Sequence, residues 1–168
     1  DIKPDNILVN PNNLNLKICD FGSAKVMEEG EKNSPNVGSR YYRAPEILLG
    51  STEYSFGVDI WSAGCVIAQM VLSNKVLFAG VDDDDQLVQI MKIIGRPSEE
   101  DASSFDRSKP FPYVEQISDL QFVFPADIDR RLLELLRSIF QYNPAKRPTA
   151  SQCLESMYFK NTNYSHLP

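Results

Sequence analysis

The chain has 168 residues, with 17 Lys and Arg against 23 Asp and Glu and a formal charge of −6. Hydrophobic residues make up 42% and charged residues 24%, a globular balance that excludes wholesale disorder; the acidic surplus excludes a general nucleic-acid or anionic-membrane binder. The single histidine, His166, leaves no Ser-His-Asp triad, Cys-His dyad or histidine-rich metal site.

In chain order, Ile7-Leu8-Val9 reads as a short strand, and Leu14, Leu16 and Ile18 alternate with polar neighbours as a second. Asn10-Pro11-Asn12-Asn13 between them is a turn, so the pair is expected to form an antiparallel hairpin. From Gly22 to Gly38 the composition is that of a loop. Residues 57–73 are apolar on every face and predict the buried central helix. A second helix is expected from about Asp84 to Ile94, stopped by Gly95, with Asp82 to Asp85 as a charged start that suits the helix dipole. Residues 96–126 read as a packed but irregular insert. A third helix is expected over about 128–141 and a fourth from Thr149, with Gln152 completing a capping box. The fold class is therefore mostly α with one small antiparallel hairpin. Cys19, Cys65 and Cys153 show no CxxC spacing and are expected to be reduced thiols, with Cys65 and Cys153 in the core. No apolar run reaches the roughly 18 residues of a membrane span.

The hairpin predicts a site. In an antiparallel pair the start of the first strand lies beside the end of the second, which brings Asn6 and Asp20 together. One carboxylate and one amide oxygen suit Mg²⁺, an ion that keeps waters and shares its shell with substrate phosphates. Asp1, five residues before Asn6, is near enough to reach a substrate held there.

Asp1-Ile2-Lys3-Pro4-Asp5-Asn6, Asp20-Phe21-Gly22 and Ala44-Pro45-Glu46, in that order, resemble the catalytic-loop, DFG and APE signatures of protein kinases. The resemblance continues through Asp59-Ile60-Trp61-Ser62-Ala63-Gly64 and Arg147-Pro148, nearly the whole chain. Asp20-Phe21-Gly22-Ser23-Ala24-Lys25 and Ser39-Arg40-Tyr41-Tyr42-Arg43-Ala44-Pro45-Glu46 are similar to the glycogen synthase kinase-3 family, within the group that also holds cyclin-dependent and mitogen-activated kinases. The resemblance implies a protein-kinase-like fold of which residues 1–168 are a partial domain, the C-terminal lobe of a two-lobed α+β parent. The implied activity is ATP-dependent phosphorylation of protein Ser or Thr, in the cytoplasm or nucleus, by a parent of which this fragment alone would be inactive. By resemblance, Asp1 orients the substrate hydroxyl and accepts its proton, and Lys3 neutralises charge on the γ-phosphate. Asn6 and Asp20 hold Mg²⁺, while Leu8 and Cys19 floor the ATP pocket. Glu46 and Arg147 form a buried ion pair, and Asp59 braces the catalytic loop. Lys25 matches one member of the basic cluster that receives a phosphate already on the substrate, which implies pre-phosphorylated protein substrates.

Two departures from that family stand in the loop: Asn36 where it has a tyrosine, and Gly38 where it has a cysteine. Ser34-Pro35 is the only proline-directed acceptor there, read as a solvated loop serine, and Tyr41 and Tyr42 are read as exposed substrate-loop and packing residues. The sequon Asn163-Tyr164-Ser165 and His166 are read as tail. A rival reading, implied by the same resemblance, is a non-catalytic or pseudokinase module that docks scaffold helices on the 84–95 helix and the insert after it. Neither reading has a nucleic-acid or membrane partner.

Overall fold

The computed structural model describes residues 1–28, 32–34, 37–104 and 106–160. Pro35, Asn36, Asn163, Tyr164, Ser165 and His166 lie outside the described residues. Strands β1 (Ile7–Val9) and β2 (Leu16–Ile18) pair antiparallel with Ile7 opposite Ile18 and Val9 opposite Leu16. The second strand starts two residues later than its alternation suggests, because the turn takes Leu14. Leu14 N–H donates to the Asn10 carbonyl at 2.8 Å with φ 54, and the Asn10 and Asn13 side chains accept from the Asn12 and Asn15 amides. Such side-chain-to-backbone bonds are why asparagine favours turns over strands.

Eight helices follow in the described residues: α1 (Pro45–Leu48), α2 (Gly57–Val71), α3 (Asp83–Ile94), α4 (Glu99–Ala102), α5 (Leu120–Val123), α6 (Arg130–Ile139), α7 (Ala150–Leu154) and α8 (Met157–Lys160). Helix α2 is the central one. Trp61, Cys65 and Ala68 are buried on it against Leu135, Leu136, Ile139 and Phe140 of α6 and the residue after it. Met70 on α2 is nonetheless 74% exposed, so the helix is not enclosed on every face. Trp61 stacks on Phe78 and meets Phe140 edge-on, with centroids 5.9 and 5.0 Å away. Gly64 allows the close α2–α6 approach: a Cβ there would lie 2.5 Å from Ile139 Cγ2.

The helix starts are set by side chains. Asp82 accepts from Asp85 N–H ahead of α3, and Asp129 from Arg131 N–H ahead of α6. Thr149 and Gln152 form the capping box of α7. The 96–126 insert is more ordered than an irregular segment: it contains α4 and α5, capped by Ser98 and Asp119. It is tied down by backbone bonds from Ser108 to Leu49 and from Ile117 to Lys92. Tyr42 also departs from the expected exposure; it is buried, and its hydroxyl donates to Gln69 Oε1 at 2.7 Å. No helix among the described residues is long and apolar enough to cross a membrane.

Candidate active site

The 3₁₀ turn Pro4–Asn6 folds the chain back on its first residue, with proline at the first position, where its missing N–H costs nothing. Asn6 Nδ2 thereby donates to the Asp1 carbonyl at 2.8 Å and lies 3.5 Å from Asp1 Oδ2. Lys3 Nζ pairs with Asp1 Oδ2 at 2.7 Å and also donates to Ser39 Oγ at 2.8 Å. Ser39 N–H donates to Asp1 Oδ1 at 2.7 Å. The Asp1 carboxylate is thus fixed from both oxygens, its side chain 14% exposed. A carboxylate has about four lone-pair sites, so it retains capacity to accept one further proton donor.

The ladder extends one residue past β2 through Cys19 N–H to the Asn6 carbonyl at 2.9 Å. Asp20, the next residue, turns into the left-handed region at φ 57, with its Oδ1 accepting from Gly22 N–H at 3.1 Å. Aspartate tolerates that conformation through such a local bond, and non-glycine residues held there cluster at functional sites. Asp20 is exposed. It lines a cleft of about 310 Å³ together with Asp1, Cys19, Phe21, Lys25 and Asp59.

The structure therefore brings Asp1, Cys19, Asp20, Lys25 and Asp59 to one cleft and joins Lys3 and Asn6 to it through Asp1. Leu8 does not line that cleft and is 56% exposed on the hairpin. Asp59 sits beside Asp1 and Ile2, and its carboxylate accepts no hydrogen bond from the described residues. Glu46 and Arg147 lie deeper, with both side chains fully buried and two contacts of 2.7 Å.

As a cation site, the available donors are hard oxygens: with Asn6 Nδ2 committed to Asp1, Asn6 offers its Oδ1, and Asp20, which follows the residue bonded to the Asn6 carbonyl, offers a carboxylate. The described residues contain no group of three His, Cys, Asp or Glu able to cage a metal. Two oxygen ligands with room for water and phosphate fit Mg²⁺ better than a soft or fully caged ion.

Ser39 and Arg43 are neighbours of this site that residue type alone does not reveal. Ser39 and Arg43 stand inside the 39–46 motif, yet only the fold shows that Ser39 holds Asp1 and that Arg43 Nε donates to the Gly38 carbonyl at 2.7 Å.

Residues 1–159 match the protein kinase domain family. The chain belongs to the protein kinase family. Among relatives, this kinase is 44% identical over 162 residues to "Serine/threonine-protein kinase RIM11/MSD1" of Saccharomyces cerevisiae, covering 95% of the chain and 43% of that protein. It is 43% identical over 162 residues to "Protein kinase gsk3" of Schizosaccharomyces pombe, covering 95% of the chain and 41% of that protein. The chain thus spans about two fifths of the length of the curated relatives it matches. Protein kinases as a family use ATP and Mg²⁺.

Proposed function

We propose that this kinase chain forms the mostly helical lobe of a serine/threonine kinase similar to glycogen synthase kinase-3, acting on protein hydroxyls in the cytoplasm or nucleus. The observation that carries the reading is the Asp1 carboxylate held by Lys3 and the Ser39 N–H at the mouth of the cleft that Asp20 lines. Three free cysteines support a reducing compartment.

In the reaction, Asp1 orients the serine or threonine hydroxyl. The hydroxyl oxygen forms its bond to the γ-phosphorus of ATP while the bond to the β–γ bridging oxygen breaks. ADP departs with that electron pair, and the hydroxyl proton passes to Asp1. Lys3, 2.7 Å from Asp1, places positive charge beside the transferred group. Mg²⁺, when held by Asn6 Oδ1 and the Asp20 carboxylate, supplies charge neutralisation at the phosphate oxygens. Lys25, in the same cleft, offers a cation to a phosphate already carried by the substrate.

A second role coexists with this one. Leu48, Leu49, Leu87 and Phe111 line a groove of about 330 Å³ beside α3, bordered by Asp84 and Lys109. That apolar floor with a charged edge favours docking of a partner's amphipathic helix.

Phosphoamino-acid analysis of a protein substrate labelled from γ-phosphate-labelled ATP by the protein expressed at native length tests the chemistry; label on Ser or Thr is expected, and no transfer refutes it. Paired peptides with and without a priming phosphate test Lys25: faster reaction of the primed peptide is expected, and equal rates refute that part alone.

A further inference from the structure

We propose that Asp83, in the first turn of α3, is a positioning residue for Asp1, acting through Arg43 and the Gly38–Ser39 turn. The inference rests on Asp1 being the group that receives the substrate proton. The chain of contacts is continuous. Asp83 Oδ1 and Oδ2 each lie 3.0 Å from Arg43 Nη1, and Arg40 Nε reaches Oδ1 at 3.3 Å. Arg43 Nε donates to the Gly38 carbonyl at 2.7 Å, and the following amide, Ser39 N–H, donates to Asp1 Oδ1 at 2.7 Å. The Ser39 hydroxyl meanwhile accepts from Lys3, the other partner of Asp1.

The turn needs this external hold because of its own chemistry. Gly38 sits at φ 76, and glycine exchanges left-handed and right-handed conformations at little cost. The backbone at residue 38 therefore does not by itself keep the Ser39 N–H aimed at Asp1. Arg43 supplies the constraint, spanning from the Gly38 carbonyl to α3, and it is half-buried while Asp83 gives its guanidinium an anchor. Arg40 reinforces the anchor by donating to the Val81 carbonyl at 2.8 Å.

Of the four consecutive aspartates, only Asp83 serves this purpose. Asp82 caps the helix, Asp84 pairs with Lys109, and Asp85 accepts from Val81 N–H and Gln89. Ion pairs at this level of exposure add little to global stability, so removing Asp83 should loosen the turn without unfolding the protein.

The test uses the protein expressed at native length, with Asp83→Asn, Asp83→Glu and, as control, Asp84→Asn. Hydrogen–deuterium exchange without substrates is expected to be about tenfold faster at residues 37–43 in Asp83→Asn, with α2 and α6 unchanged. Asp83→Glu should restore protection, and Asp84→Asn should match wild type. In phosphoryl transfer, Asp83→Asn should lower kcat by about tenfold with KM for ATP unchanged, as small misplacements of a reacting group do. Unaltered exchange at 37–43 overturns the proposal, as does wild-type kcat in Asp83→Asn or a Glu variant as loose as the Asn one. Should the wild-type protein transfer no phosphoryl group, the kinase reading falls, whereas the exchange result still decides whether Asp83 pins the turn.

Discussion

Neutralising one partner of the Glu46–Arg147 pair is the sharpest stability test of how α1 is fastened to the rest of the domain. The pair spans 101 residues of sequence, and both side chains are fully buried. Arg147 uses its whole guanidinium there. Nη1 and Nη2 meet Glu46 Oε1 and Oε2 at 2.7 Å, and the remaining donors reach the Gln141, Gly57 and Tyr142 carbonyls at 2.8, 3.0 and 3.3 Å. The guanidinium also lies 5.1 Å from the Trp61 ring centre. Glu46→Gln keeps the shape and the three carbonyl contacts but removes the countercharge and turns an amide NH₂ toward one Arg147 nitrogen. Its cost falls near the lower end for broken buried pairs, about 3 kcal/mol. Arg147→Met strands the Glu46 carboxylate and frees three carbonyls, so it falls at the upper end, about 5 kcal/mol. The double variant Glu46→Leu with Arg147→Met carries no orphaned charge and should be more stable than the sum of single effects by about 2 kcal/mol or more. Urea unfolding with unchanged m-values measures all three, and Glu46→Gln should lower Tm by roughly 6–12 °C. Single variants within about 1 kcal/mol of wild type, or strict additivity, would mean that the pair does not fasten α1 to the domain.

Gly64→Ala should destabilise by about 1–3 kcal/mol in the same unfolding assay, because the new methyl meets Ile139 and Phe140 where α2 and α6 cross; unchanged stability would mean the two helices do not pack this closely. Burial pushes the Cys65 thiol far above its usual range, and Cys153 is shifted upward for the same reason. The folded Cys65 thiol therefore stays protonated as pH rises past about 8.5, where an unfolded thiol ionises. Alkylation at pH 8 followed by peptide mapping should modify Cys19, in the cleft wall, before Cys153, and leave Cys65 unmodified until denaturant is added. Early modification of Cys65 would contradict the packing of α2.

Much of the architecture could be read from residue pattern, and the reasons are particular. The hairpin carries strong turn residues, α3 and α6 carry apolar stripes, α2 is a long apolar run, and Thr149 with Gln152 announces α7 by hydrogen-bonding chemistry alone. Helices α1, α4, α5 and α8 have four residues each, too few for a 3.6-residue period to register. The final helix was expected as one element from Thr149 and breaks after Leu154 into α7 and α8. Tyr42 reads as a loop residue because its partners are distant in sequence: it joins the core cluster and its hydroxyl donates to Gln69, 27 positions away on α2. The same limit applies at the site. Asp1, Asn6 and Asp20 are short-range in sequence or linked by the hairpin register. Ser39 and Arg43 meet Lys3, Asp1 and Asp83 across 36 to 40 residues of sequence, contacts to which periodicity and residue type are blind.

Comparing wild type with Asp1→Asn in the protein at native length, by steady-state phosphoryl transfer to a protein substrate, tests the account at its centre. The amide keeps the shape of the side chain but cannot take the hydroxyl proton, so kcat should fall by about 10²–10⁴-fold while KM for ATP stays close to wild type. Turnover by Asp1→Asn at the wild-type rate would contradict the assignment of Asp1, and with it the chemistry proposed for the cleft.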